Sequence, residues 1–220
     1  MKYPNAYSGV GKLLTSQYLF IGGLLLSVVS FVIIFFSGII SADSGLNVEA
    51  LIKSIKPGGQ FPIFPLIVMF AGLALFLASG IFYLIGVIKA MKDEASYKIA
   101  LGFIIAGLVL SGINYFVSGM IVLRVILNIL TAFADFVVAI YLIQGIRVIS
   151  DKLNNGEVNS KGTKTFKLMI PIYLLILVSS LVSIFVPSIS LIASIVNALL
   201  TLTVSVLLIG LFSKAKKMLA

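Results

Sequence analysis

Six stretches of this chain are long and apolar enough to cross a lipid bilayer, and little polar sequence separates them. A helix needs about 20 apolar residues to cover a hydrocarbon core of roughly 30 Å, because lipid offers no partner to an unpaired backbone N–H or C=O. The stretches run from Tyr18 to Ile40, Pro65 to Ile88, Ile99 to Val117, Met120 to Ile146, Leu168 to Val186 and Ser190 to Phe212. With 60% of the 220 residues hydrophobic and only 10% charged, the chain carries more apolar surface than one soluble core can hide. The expected fold is an all-α integral membrane protein with six transmembrane helices, forming a single domain over residues 1–220.

The sparse charge orients these spans. With the amino terminus in the cytoplasm, Lys2, Lys12, Lys89, Lys92, Lys98, Arg147, Lys152, Lys161, Lys164, Lys167, Lys214, Lys216 and Lys217 are all cytoplasmic. Only Lys53, Lys56 and Arg124 fall on the other side, where Asp43, Glu49 and Asp135 offset them, so the whole formal charge of +9 sits inside. That is the positive-inside pattern. It predicts a cytoplasmic segment over 1–17, an outer loop over 41–64, a polar and mobile cytoplasmic loop over 149–166, and both termini inside. Within the outer loop Val48, Leu51, Ile52 and Ile55 recur at helical spacing, which predicts a short amphipathic helix resting on the membrane interface. With no transit or lipidation pattern at either end, the expected home is the bacterial plasma membrane.

The spans also resemble one another. Phe35-Phe36-Ser37-Gly38-Ile39-Ile40 matches Phe116-Val117-Ser118-Gly119-Met120-Ile121, with Phe185-Val186-Pro187-Ser188-Ile189 as a weaker third copy. The even-numbered spans end alike in Tyr83-Leu84-Ile85-Gly86, Tyr141-Leu142-Ile143-Gln144 and Leu207-Leu208-Ile209-Gly210. These matches predict three successive, pseudo-repeated helical hairpins of one orientation.

One span carries charge at depth. Asp135 lies near the middle of the fourth span, where an ionised carboxylate costs at least about 2.5 kcal/mol, so it is expected to face protein or water. Arg124, Asn128, Thr131 and Asp135 are spaced by 4, 3 and 4 residues, which keeps all four on one helix face. Ser190, Ser194, Asn197 and Thr201 repeat that spacing in the sixth span, 66 residues on. Ser111, Asn114 and Ser118 in the third span and Ser180 and Ser183 in the fifth add polar groups in the same half of the membrane. The reading drawn from this pattern is an outward-facing polar pocket in which the hydrophilic faces of spans four and six meet. Asp135, Arg124, Asn128, Thr131, Asn197, Thr201 and Asn114 are its candidate binding residues. The plainer alternative is interhelical hydrogen bonding, with Asp135 held neutral by Asn197 or Asn114.

Composition narrows the chemistry. Cysteine, histidine and tryptophan are absent, which removes disulfides, thiol nucleophiles, imidazole acid–base catalysis and Cys or His metal ligands. No catalytic centre, metal site or cofactor is expected, and the basic residues serve orientation and anionic headgroups, not nucleic acid. Two functions fit: a transporter or channel for a small solute or cation, or a non-catalytic membrane subunit that binds a partner protein or a second copy of itself.

Overall fold

The computed structural model describes residues 2–36, 40–41, 45–46, 63–117, 120–186 and 189–220. Six helices dominate: α1 (Pro4–Phe36), α2 (Ile63–Ala90), α3 (Ser96–Phe116), α4 (Ile121–Lys152), α5 (Gly156–Phe185) and α6 (Ser190–Leu219). All six are long and apolar enough to span a membrane. The described residues between α1 and α2 add a two-residue antiparallel ladder, β1 (Ile40–Ser41) on β2 (Gly45–Leu46), pairing Ile40 with Leu46 and Ser41 with Gly45. The expected amphipathic helix around Val48 to Ile55 lies outside the described residues, as do positions 37–39, 118–119 and 187–188 of the repeated motifs.

Two helix starts differ from the hydropathy reading. α1 begins at Pro4, not near Tyr18, so the expected amino-terminal segment is helical almost throughout. The amide of Ala6 donates to Asp93 Oδ2 at 2.7 Å and the Asn5 side chain to Asp93 Oδ1 at 2.9 Å. A residue distant in sequence thus satisfies a backbone donor, that of Ala6, which the helix itself leaves open. The loop expected over 149–166 is likewise mostly helical: α4 runs to Lys152 and α5 starts at Gly156. Asn154 takes a left-handed φ of 53°, and the Asn155 side chain caps α5 by accepting the Val158 amide at 3.0 Å. The polar residues there are the exposed face of a helix, which a hydropathy average reads as loop.

The chain divides into two compact units, Met1–Gln17 with Ile81–Ala220, and Tyr18–Gly80. In the larger unit the core gathers at the end of the helices that carries both termini and the short α2–α3 and α4–α5 connections. Val10, Leu13, Val87, Tyr97, Leu142, Ile146, Ile149, Leu211 and Phe212 are buried there to within 1%. Close backbone approach makes this possible: a Cβ on Gly9 would stand 2.6 Å from the Gly86 carbonyl oxygen, and one on Gly145 would stand 2.6 Å from the Tyr97 ring. Polar ties rim the same end. Lys152 pairs with Glu94 at 2.8 Å, Lys89 donates to Ser8 at 3.1 Å, Arg147 donates to Asn159 at 3.1 Å, and Lys214 pairs with Glu157.

In the smaller unit α1 and α2 pack through Gly23, whose added Cβ would lie 3.0 Å from the Gly72 carbonyl, and through the edge-on rings of Phe20 and Phe76 at 5.4 Å. Ser30 and Ser79 are buried, while Leu25, Phe70 and Leu77 are exposed. Around the larger unit Leu108, Leu174 and Ile192 are each 62% exposed. Apolar exposure of this extent would drive aggregation in water and costs nothing against lipid.

Candidate functional site

The polar stripe of α4 continues the line of buried residues of the same helix. Positions 3, 7, 11 and 14 residues beyond Asp135 are Val138, Leu142, Ile146 and Ile149, which share its side of a helix that turns about 100° per residue. These four are buried to 5%, 0%, 1% and 1% exposure. Asp135 is the next position outward on that stripe and is exposed. Close packing therefore stops at the carboxylate, whose position on the helix lies opposite Phe133 and Ile126, which are exposed. α6 repeats the changeover: Val204, Leu208 and Leu211 are buried, and Thr201 and Asn197, further along the stripe, are only half-buried.

Among the described residues the Asp135 carboxylate has no hydrogen bond and no ion pair. Arg124 is exposed in the first turn of α4, about 16 Å away along the axis, too far to pair. A Cβ on the buried Gly107 of α3 would lie 3.8 Å from Asp135 Oδ1, an ordinary contact, so α3 passes directly beside the carboxylate. The phenols of Tyr83 on α2 and Tyr173 on α5 stand within electrostatic reach of it, approaching from two further helices. The Tyr173 ring also meets the Phe136 ring at 5.4 Å.

The amides are placed differently from the expectation. Asn114 Nδ2 donates to Asn128 Oδ1 at 2.9 Å, tying α3 to α4, and Asn197 Nδ2 donates to Ser180 Oγ at 3.1 Å, tying α5 to α6. Both bonds run between consecutive helices. Neither Asn114 nor Asn197 bonds Asp135. The Thr201 hydroxyl donates back to the Asn197 carbonyl at 2.8 Å, the usual local bond of a threonine inside a helix. Tyr97–Gly145, Gly107–Asp135 and Asn114–Asn128 share one α3–α4 register, so α3 is the immediate wall of the stripe.

Three buried atoms along these seams lack partners: Thr131 Oγ1, Asn114 Oδ1 and Asn197 Oδ1. Each would gain from a water or a ligand. Sequence reasoning missed Tyr83, Tyr173 and Gly107 as neighbours of Asp135. Tyr83 was visible only as part of a repeated motif and Gly107 only as a packing residue, because nothing local says which side of the carboxylate a distant helix will take. No three His, Cys, Asp or Glu side chains gather among the described residues, so none could enclose a metal ion alone. Comparison of the chain with protein-family models, with curated proteins and with solved structures finds no match.

Proposed function

We propose that this chain is a non-enzymatic transporter or channel of the bacterial plasma membrane, with both termini in the cytoplasm, and that it takes a small cationic solute at Asp135. One observation carries the reading. Asp135 continues the buried stripe of α4, yet it is exposed and without a partner where Val138 and Leu142 beside it are sealed. A carboxylate used as interhelical glue would be hydrogen-bonded, and a hydroxyl or amide would serve that purpose without the insertion cost. A carboxylate lacking a fixed partner instead invites an exchangeable cation. The polar residues outward of it, Thr131, Asn128 and Arg124, make a hydrated approach from the end opposite the termini.

The test is cation movement across vesicles holding the purified chain, with sodium, potassium or tetramethylammonium gradients and a potential-sensitive dye. Asp135→Asn removes the charge at nearly constant volume and is expected to lower flux at least tenfold while helicity and monodispersity are kept. Equal flux in the two proteins would reject the reading. A second reading, a subunit whose Asp135 is neutralised by a Lys or Arg on a partner's helix, draws on the same unpaired carboxylate. It predicts no flux from the isolated chain and a stoichiometric partner that the Asn variant no longer retains.

A further inference from the structure

At the end that carries both termini, α1 and α2 cross at Gly9 and Gly86, with almost no space between their backbones. Ser8 and Lys12 stand one turn apart on a flank of α1, beside that crossing, and Phe82 and Lys89 stand two turns apart on a flank of α2. Two contacts join the flanks. The Lys12 ammonium lies 4.6 Å from the centroid of the Phe82 ring, and Lys89 Nζ donates to Ser8 Oγ at 3.1 Å. All four side chains are half-buried. Ile81, Ile85 and Ile88 of α2 are exposed, so this edge of the crossing opens onto lipid.

Neither lysine has an acid. The ion pairs among the described residues are Lys152 with Glu94 and Lys214 with Glu157. Two further acids of this end are engaged elsewhere: Asp93 accepts from Asn5 and Ala6, and Asp151 accepts from Asn159. Two ammonium groups on one seam, partly withdrawn from water, repel each other until an anion joins them. Donors for that anion are in place. Lys89 spends one of its three N–H groups on Ser8, and the Ser8 hydroxyl, having accepted it, keeps its own proton to give. The Phe82 ring holds the Lys12 ammonium at the seam instead of out in solution.

From this juxtaposition we infer that the lipid-facing edge of the α1–α2 crossing binds the headgroup of an anionic phospholipid. Lys12, Lys89 and the Ser8 hydroxyl receive its phosphate, and an acyl chain lies along Ile85 and Ile81. Charge complementarity selects an anion, and the exposed isoleucines select one that carries a tail. The inference does not rest on the transport reading.

The experiment titrates the detergent-solubilised full chain with dioleoylphosphatidylglycerol or dioleoylphosphatidylcholine and counts bound lipid by native mass spectrometry. Saturable binding of phosphatidylglycerol is expected, at least tenfold tighter than that of phosphatidylcholine. Lys12→Gln and Lys89→Gln should each weaken it about fivefold, the effect of one lysine on an anionic headgroup. Lys12→Arg keeps the charge and should bind within about twofold of the parent, which separates loss of charge from loss of fold. Removing the same two charges at the exposed Lys164 and Lys167 of α5, both to Gln, should leave binding within about twofold. Equal affinity for the two lipids, or none for either, would overturn the site. So would equal losses in the Lys12/Lys89 and Lys164/Lys167 double variants, which would mean diffuse attraction by net charge. Glycerol 3-phosphate, a phosphate without a tail, should not displace the lipid at about hundredfold excess, and displacement would assign the seam to a free phosphate and overturn the lipid assignment.

Discussion

The carboxylate of Asp93, in the turn after α2, accepts the backbone N–H of Ala6 at 2.7 Å across 87 residues of sequence. The first turn of α1 is thereby capped by the connection between α2 and α3, and the same carboxylate holds Asn5 at 2.9 Å. Negative charge at a helix N-terminus also meets the positive end of its dipole. Asp93→Ala removes both effects and is expected to cost about 1–2 kcal/mol, with Asp93→Asn retaining part of it. Thermal unfolding in detergent, followed by circular dichroism, reads the difference. A midpoint unchanged in the Ala variant would mean that the cap contributes nothing.

Glu94, the next residue, gives the fold an acid limit. Burial would raise its carboxyl pKa, but hydrogen bonds from Lys152 and from the Ser96 amide and hydroxyl, together with the Lys152 charge, outweigh burial and hold it below the ordinary value. A folded pKa below the unfolded one gives stability that is complete above the unfolded value near 4.5 and drains as pH falls through the folded value beneath it. Stability of the parent should therefore drop below about pH 4.5, and Glu94→Gln should flatten that drop while lowering stability at neutral pH. Lys152 is 48% exposed, so the loss at neutral pH is expected to be about 1 kcal/mol or less. An identical acid profile in the two proteins would contradict the assignment.

Tyr97 and Gly145 predict opposite signs at one contact. The Tyr97 hydroxyl is buried without a partner, so Tyr97→Phe sheds an uncompensated polar group and is expected to be neutral or stabilising by about 1 kcal/mol. Gly145→Ala places a methyl 2.6 Å from that ring, and the ring has no space into which to retreat, being fully buried. It should destabilise by about 1–3 kcal/mol. Unfolding midpoints of the two variants, which must move apart, check both.

The six spans were legible because apolar length is a local property of the sequence. The polar line on α4 was legible for the same reason, since Asp135, Thr131, Asn128 and Arg124 share a face at helical spacing whatever surrounds them. What failed was whatever depends on a distant residue. The early start of α1 needs Asp93, and the helical reach of α5 back to Gly156 needs the Asn155 cap and the burial of Val158 and Thr165 behind a polar face. The partners of the amides were hidden for the same reason. Spacing shows that Asn128 and Asn197 lie on polar faces, but it does not choose between a neighbour in the same hairpin and one in another, and the hydrogen bonds go to Asn114 and Ser180.

The central claim is that the stripe leading to Asp135 is wet while the opposite side of α4 meets lipid. The chain has no cysteine, so single substitutions report one position at a time. Asn128→Cys and Thr131→Cys in sealed cells should react with a membrane-impermeant maleimide added outside, whereas Ile126→Cys and Phe133→Cys should not. Equal reactivity around the helix, or labelling of Asn128→Cys and Thr131→Cys only after the cytoplasmic side is opened, would contradict the account.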